Sequence, residues 1–398
     1  MIKDKDINKR SLKKLGLILI SFFAFISLGL PDGLLGVAWP GIRLKFDLPI
    51  DALGVLLICG TAGYMIASFF SGLIIRYLGI GILISISSAA TAISLYVFSQ
   101  TQIWLIFVFF SFICGISAGG IDSAINTYVA KYHSPSVMQW LHASFGVGIT
   151  AGPIIMTMGI SITSRWQSGY FLVSVALGIL SSIFFITKNI WNDIKFTESN
   201  KSIDEKDPSL IDTLKKIPVQ LSMLMFFLYT GVEIGLGCWI YSLLTESRSI
   251  SQEIAGIIAS SYWGMFTVGR ILAGWFAKFV DNTKLIFISL SLALFGIILL
   301  ITNSGELTTI FGISLAGLAI APIFPGMVSN TESRVGKRHH GNTIGLQMSS
   351  AGFGMAVIPT VGGVFAKNFG LEIIPLYLLV ILFFMLCVFS YFHSTFQK

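Results

Sequence analysis

Two acidic residues of this 398-residue chain stand inside long apolar runs, where a charge is costly to place. Asp32 and Glu233 are each followed, four residues later, by a glycine, Gly36 and Gly237 respectively. A charge near the centre of a lipid bilayer costs roughly 2.5–3.5 kcal/mol on insertion scales, so an acid in such a run indicates a functional site. A carboxyl group that is protonated in one state and hydrated in another can carry a proton, and we predict this chemistry for both acids.

A third acid belongs to a stripe of small and polar residues. Gly115, Gly119, Asp122 and Asn126 are spaced i, i+4, i+7 and i+11, which places all four on one face of a helix. The glycines allow a neighbouring helix or a ligand to come close, and the two polar side chains can then bind it. A functional role is the favoured interpretation of Asp122, and a purely structural hydrogen bond between helices is the alternative.

Possible counter-ions for these acids are few. Between the ends of the apolar runs we find only Arg270, near one end of its run, and His142. An unpaired carboxylate in a low-dielectric medium favours its protonated form, so both Asp32 and Glu233 are expected to exchange protons. His142 titrates near neutral pH in water; a proton relay and a neutral ring bonded to a backbone carbonyl are equally compatible with its position.

Several aromatic side chains and one amide could line a central cavity, with the rings stacking on the face of a sugar. They are Trp39, Tyr64, Tyr229, Trp239, Trp263 and Gln347. The alternative for the aromatic residues is packing or a lipid-facing belt at the membrane interface.

The composition is that of an integral membrane protein. Hydrophobic residues make up 54% of the chain and charged residues only 11%, whereas soluble proteins carry about 25% charged residues. The net charge of +7 is scattered over short loops, which argues against nucleic acid as a partner. No phosphate-binding loop, nucleophile elbow, dinucleotide fingerprint or zinc-ligand spacing is present, so we predict no enzymatic activity, cofactor or metal.

Twelve apolar segments predict an all-α membrane protein with two bundles of six helices. The segments are 14–38, 52–75, 80–99, 103–130, 137–163, 168–187, 219–244, 252–277, 284–302, 307–330, 341–366 and 371–392. The polar stretch 188–218 between the sixth and seventh segments reads as a cytoplasmic linker. The predicted units are therefore an N-terminal bundle, 1–187, and a C-terminal bundle, 219–398.

The basic residues predict the orientation of the chain in the membrane. Twenty of the 26 Lys and Arg residues fall on the tails and loops of one face, and five fall on the other. Cytoplasmic loops are enriched in Lys and Arg, so both termini are expected in the cytoplasm. A bacterial cytoplasmic (inner) membrane is the predicted location.

A second repeat supports the division into halves. The fifth and eleventh segments both carry Gly-x-Gly followed by a proline five residues after the second glycine. The repeated residues are Gly146, Gly148 and Pro153 in the fifth segment, and Gly352, Gly354 and Pro359 in the eleventh. Small residues allow helices to approach closely in lipid, so we expect these positions to pack helices or to move during gating.

Twelve segments, a charged central loop and two six-segment repeats resemble the major facilitator superfamily. The superfamily's loop motif is present between Gly72 and Gly79, although Arg76 stands where the motif has an acid. Within the superfamily, the stretch from His142 to Pro153 is similar to the fifth span of the fucose–proton symporter branch. The glycine and acid stripe of the fourth segment is similar to that branch as well.

The resemblance implies a secondary transporter that works by alternating access, with a substrate site near the membrane midplane. Proton-coupled symport of a small polar solute, most plausibly a sugar, is the favoured function, and a monomer in the lipid bilayer suffices for it. The predicted proton-coupling residues are Asp32, Asp122, His142 and Glu233. The predicted substrate-binding residues are Asp32, Trp39, Asn126, His142, Tyr229, Glu233, Trp239 and Gln347. The predicted gating and packing residues are Gly36, Gly115, Gly119, Gly146, Gly148, Pro153, Arg270, Gly352, Gly354 and Pro359.

Proton-driven efflux of amphiphilic compounds is the alternative. The efflux hallmark of the fifth span is matched by Gly148 and by Gly152 with Pro153, but Met156 and Thr157 replace its final glycine pair. A transport-inactive receptor and an intramembrane enzyme are less compatible with the sequence. A receptor has no need of acids in both halves, and an enzyme would need a second catalytic group beside them.

The predicted topology can be tested by cysteine labelling. A cysteine at Asn200, in the linker, should react with an impermeant reagent only from the cytoplasmic side, and one at Ser304 only from outside. Labelling of both positions from the same side would contradict the twelve-span arrangement.

Overall fold

A computed structural model describes residues 2–133, 135–191, 209–276 and 279–396, which fold into helices without a β-strand. The labelling position Asn200 lies outside these ranges. The helices of the first half are α1 (Ile2–Lys45), α2 (Leu53–Gln100), α3 (Trp104–Tyr132), α4 (Pro135–Thr163) and α5 (Gln167–Thr187). Those of the second half are α6 (Leu210–Leu214), α7 (Ile217–Ser242), α8 (Gln252–Phe276), α9 (Asn282–Thr302), α10 (Glu306–Ile320), α11 (Ile323–Ser329), α12 (Thr331–Val335), α13 (His340–Phe369) and α14 (Ile373–Phe396).

The twelve predicted segments all coincide with helices to within a few residues. In the described chain, ten helical stretches are long and apolar enough to cross a membrane, and one of them, Ile50–Gln100, has 51 residues. That stretch breaks at Gly79, whose φ of 72° lies in the left-handed region that favours glycine. The break falls between the second and third predicted segments, so α2 supplies both. The 25-residue helix α8, which carries Arg270, completes the twelve.

Helix α1 departs from the sequence-based expectation at Pro31. The proline before Asp32 predicts an interrupted helix, because proline lacks the N–H that continues the hydrogen-bond ladder. The prediction is wrong: α1 is helical across Pro31. Gly29 and Gly33, on either side of the proline, both pack against the backbone of α4, and this contact supports the helix where its ladder lacks a bond.

The chain divides into two compact units. One consists of Met1–Leu34 with Ala62–Glu198, and the other of Leu35–Thr61 with Ser199–Lys398. In this division Leu35–Thr61 packs with the C-terminal helices; the predicted bounds of the two bundles and of the linker stay predictions.

In the first unit, α1 and α4 approach at glycines. An ideal Cβ atom on Gly29 would lie 2.8 Å from the backbone nitrogen of Ile149, and one on Gly152 would lie 2.6 Å from the Cα of Gly33. Real Cβ atoms do not come so close to other heavy atoms, so these positions require glycine. The backbones of the two helices can touch here because no side chain separates them.

In the second unit, α7 and α13 form the corresponding contact. A Cβ atom on Gly354 would overlap the carbonyl oxygen of Phe227, and one on Gly231 would overlap the side chain of Ile358. The Thr230 hydroxyl donates a hydrogen bond to the Ala351 carbonyl oxygen at 2.7 Å, joining the two helices through a polar group as well. The glycine repeat that the sequence shows in α4 and α13 therefore packs a helix in each unit.

Close contacts and ion pairs hold the segment Leu35–Thr61 within the second unit. A Cβ atom on Gly36 would lie 2.6 Å from the Gly237 carbonyl oxygen, so the glycines that follow the two acids meet each other. Arg43 forms an ion pair with Glu246, and the Lys367 ammonium lies 3.1 Å from a carboxylate oxygen of Asp51. These pairs join the end of α1 and the following loop to residues of the C-terminal half.

A glycine substitution on α13 tests the backbone contact. Gly354→Ala should lower the melting temperature of the purified protein, because the added methyl group forces α13 away from α7. Gly345→Ala is the matched control on the same helix: nothing lies within 4 Å of its Cβ position, and alanine favours a helix over glycine by about 1 kcal/mol. Equal melting temperatures for the two variants would show that the close approach contributes nothing to stability.

Candidate functional site

The first unit contains a hydrogen-bonded cluster around Asp122. The Tyr64 hydroxyl of α2 donates to one carboxylate oxygen of Asp122 at 2.6 Å, and the Asn126 amide donates to the other at 2.9 Å. Gly119 allows this geometry, because a Cβ atom there would overlap the Tyr64 carbonyl oxygen. The predicted stripe thus brings Asp122 and Asn126 together. The hydrogen bond between helices that was the alternative interpretation of Asp122 is also present, from Tyr64 of α2.

Asp32 lies near this cluster. Its side chain is exposed, and its charge acts on Tyr64 of α2 and on Cys114 of α3. Within the described part of the chain, no ion pair involves Asp32. The expectation that Asp32 lacks a cationic partner agrees with this geometry.

His142 of α4 also faces α1. Its ring meets Phe25 edge to face, with ring centroids 5.6 Å apart and an interplanar angle of 82°. The first unit therefore contains four of the predicted proton-coupling and substrate-binding residues. These are Asp32, Asp122, Asn126 and His142.

The surroundings of Glu233 differ from those of Asp32, and here the expectation of an unpaired carboxylate is wrong. The Arg270 guanidinium of α8 lies 3.7 Å from a carboxylate oxygen of Glu233. The guanidinium also lies over the Phe266 ring, 4.4 Å from its centroid. Arg270 is near one end of its helix, but its long side chain reaches the Glu233 carboxylate on α7. The spacing of the two residues along the sequence does not predict this contact.

Two tyrosines complete the surroundings of Glu233. The Tyr262 hydroxyl donates to the backbone carbonyl oxygen of Glu233 at 2.8 Å. The buried Tyr229 hydroxyl has no hydrogen-bond partner among the described residues, although the charges of Glu233 and Arg270 act on it. Sequence reasoning did not identify Tyr262; the available signal was the cation Arg270 eight residues later on the same helix.

Several residues predicted to line a cavity are buried within the second unit, and their role in binding stays a prediction. Gln347 is fully buried, and its amide bonds Ser222 of α7 and Thr331 of α12. The buried Trp239 indole donates to the Pro359 carbonyl oxygen at 2.9 Å. The other buried aromatic residues of the predicted set are Trp39, Tyr229 and Trp263.

The predicted packing residues lie where helices meet. Pro153 packs beside Gly33, and Gly148 faces the Ile26 carbonyl oxygen. The remaining glycines of this set that are buried in their helices are Gly115, Gly146 and Gly352. Their roles in gating stay predictions.

Comparison with protein families and with known proteins gives a consistent result. A model described as Major Facilitator Superfamily matches residues 17–247 and 221–396. Bypass of stop codon protein 6 of Saccharomyces cerevisiae is 25% identical over 90% of this chain and 78% of its own length. The glucose/mannose transporter GlcP of Bacillus subtilis is 23% identical over 86% of each chain. The human sodium-dependent glucose transporter 1 is 21% identical over 86% of this chain and 72% of its own length.

Solved structures of transporters have the same fold. A bacterial homologue of the human lysosomal transporter Spinster superposes with a TM-score of 0.79 at 13% identity, covering 97% of this chain and 98% of its own. A mutant of the nucleoside transporter NupG superposes with a TM-score of 0.78 at 12% identity, covering 94% of this chain and 99% of its own.

Because Arg270 and Glu233 form an ion pair, we expect the single variant Arg270→Gln to be less stable than the double variant that also carries Glu233→Gln. Arg270→Gln should destabilise the protein by about 3–5 kcal/mol, because removing one partner leaves a buried charge uncompensated. Adding Glu233→Gln to that variant should restore most of the loss, since no charge then remains. Thermal unfolding of the purified variants measures this, and a double variant as unstable as Arg270→Gln would contradict the pairing.

Proposed function

The chain belongs to the Major Facilitator Superfamily, and from that premise we propose that it is a secondary transporter that couples proton entry to the uptake of a sugar. The observation that carries the proposal is the carboxyl group of Asp32. It lies in a membrane-spanning helix, its side chain is exposed at the protein surface, and it has no ion-pair partner among the described residues. The names of the glucose and mannose transporters among its relatives support a sugar-like solute.

Asp32 is better suited than Glu233 to carry the coupling proton. A carboxylate that no cation compensates is costly in an apolar medium and is relieved by protonation. Exposure lets Asp32 release the proton again when water reaches it. Glu233 can remain ionised beside Arg270, so a proton there needs an event that removes the guanidinium.

The Asp122 cluster supports Asp32 in this role. Asp122 accepts hydrogen bonds on both oxygens, from Tyr64 and from Asn126, and such bonds stabilise an ionised carboxylate. The two hydrogen bonds also hold the Asp122 carboxyl group in a fixed position near Asp32. Loss of the proton from Asp32 becomes easier when water enters and solvates its carboxylate.

Sodium is the alternative coupling ion. A relative named as a sodium-dependent glucose transporter favours it. The oxygen atoms of Asp32, Asp122 and Tyr64 are ligands that a hard cation accepts. We favour the proton because a single uncompensated carboxyl group is sufficient for it. A bacterial inner membrane, cytoplasmic termini and a monomeric state complete the proposal.

The test is transport by Asp32→Asn in proteoliposomes loaded with candidate sugars. Asparagine keeps the shape of the protonated acid but cannot release a proton, so the variant should exchange labelled sugar across the membrane and fail to accumulate it. Asp47→Asn is the matched control: Asp47 is an exposed loop residue with φ of 52°, a conformation that asparagine tolerates well.

Imposed gradients separate the two ions. A proton gradient, acidic outside, should drive accumulation by the wild-type protein, and a sodium gradient at equal pH should not. Concentrative, proton-driven uptake by Asp32→Asn would show that Asp32 is structural. Uptake that is driven only by the sodium gradient would show that sodium, and not the proton, is the coupling ion.

A further inference from the structure

The pair between Glu233 and Arg270 leaves much of the guanidinium unused. A guanidinium has five N–H donors arranged as a planar fork that fits a carboxylate in a bidentate manner. Here the closest approach is a single contact of 3.7 Å. The Nε atom of Arg270 is buried and has no hydrogen-bond partner among the described residues.

A second Arg–Glu pair in the same unit shows the contrast. Arg248 donates to both carboxylate oxygens of Glu372, at 2.9 and 2.7 Å, and to the Leu300 carbonyl oxygen at 2.9 Å. These hydrogen bonds hold the pKa of Glu372 below its ordinary value. Arg248 thus makes the fork geometry that Arg270 does not make with Glu233.

Arg270 is also open to a ligand to a limited degree. Its side chain is 19% exposed, whereas the side chain of Glu233 is 10% exposed. The Phe266 ring lies against the guanidinium and fixes its plane. A fixed, partly open guanidinium with unused donors is suited to bind a planar anion.

We propose that Arg270 binds the carboxylate of a sugar acid, and that Glu233 takes up a proton when it loses the guanidinium. This inference rests on the proposed transport of a sugar and names the class of that sugar. The bidentate contact replaces the single long contact with Glu233. A neutral sugar offers no group that makes this contact.

The charges balance in this exchange. Before binding, one guanidinium cation faces one carboxylate, Glu233. After binding, the guanidinium faces the carboxylate of the sugar acid, and a proton from the medium neutralises Glu233. The local net charge is unchanged, so the buried site avoids an uncompensated charge. The proton on Glu233 balances the sugar acid, while the proton on Asp32 couples transport to the gradient.

The groups that act on Glu233 in the described chain are few. Arg270 comes from α8, and Tyr229 comes from α7 itself. Tyr262 of α8 donates to the backbone of Glu233. The helices α11, α13 and α14, which also pack against α7, contribute no titratable group that acts on this carboxylate. The part of the proton uptake that Glu233→Gln removes therefore reports on Glu233 and Arg270.

Calorimetry with glucuronate and glucose tests the proposal, since the two sugars differ only at C6, which is a carboxylate in glucuronate and a hydroxymethyl group in glucose. Titrations in two buffers of different ionisation enthalpy give the number of protons bound. The wild-type protein should bind glucuronate at least roughly tenfold more tightly than glucose, which corresponds to about 1.4 kcal/mol. It should take up about one proton with each glucuronate, at a pH where Glu233 starts ionised.

Variants assign the effect to the pair. Glu233→Gln should bind glucuronate more tightly than the wild-type protein and take up no proton, because nothing then competes for Arg270. Arg270→Lys should weaken glucuronate binding by about tenfold or more. Arg248→Lys is the matched control and should change neither glucuronate binding nor glucose binding. Should Arg270→Lys fail to fold, the loss of proton uptake in Glu233→Gln still decides the matter.

The outcomes separate this inference from the proposed function. Glucose accumulation without preferential glucuronate binding overturns the inference and leaves sugar transport standing. Arg270-dependent glucuronate binding without any gradient-driven uptake of either sugar supports the inference and overturns the transport proposal. If Glu233→Gln takes up as many protons on binding glucuronate as the wild-type protein does, the proposal that Glu233 is protonated when it loses Arg270 is overturned.

Discussion

The helices of each unit depend on backbone contact at glycines. In lipid, apolar side chains gain little by leaving their surroundings, so helix association relies on close packing and hydrogen bonds. The contacts of α1 with α4 and of α7 with α13 both meet this requirement, and Gly29 and Gly354 are representative positions. Because these contacts fix α1 and α7, they also fix the positions of the acids that the two helices carry.

The two acids have equivalent places in the repeat and different surroundings. Asp32 is exposed and has no cation beside it in the described chain, whereas Glu233 is buried next to Arg270. The repeated helices α1 and α7 thus hold their acids in two different electrostatic environments. One of them favours the repeated gain and loss of a proton, and the other favours a stable ion pair that an anion can exchange with.

Much of the fold could be predicted from the sequence, because the spacing of apolar runs and the break at Gly79 are local features. The acids and the stripe around Asp122 were identifiable for the same reason. The contact between Arg270 and Glu233 was not, since it depends on how two helices face each other. The partners of Gln347 were not predictable either: the sequence shows a polar residue in a span, and only the structure shows that its amide bonds Ser222 and Thr331.

The meeting of Gly36 with Gly237 has a mechanical consequence. Helices that interlock through side chains form ridges and grooves, and sliding past them requires rotamer changes. At Gly36 no side chain intervenes, and a Cβ atom there would lie 2.6 Å from the Gly237 carbonyl oxygen. Any side chain at position 36 would therefore force the end of α1 away from α7, so the two backbones meet here only because residue 36 is glycine.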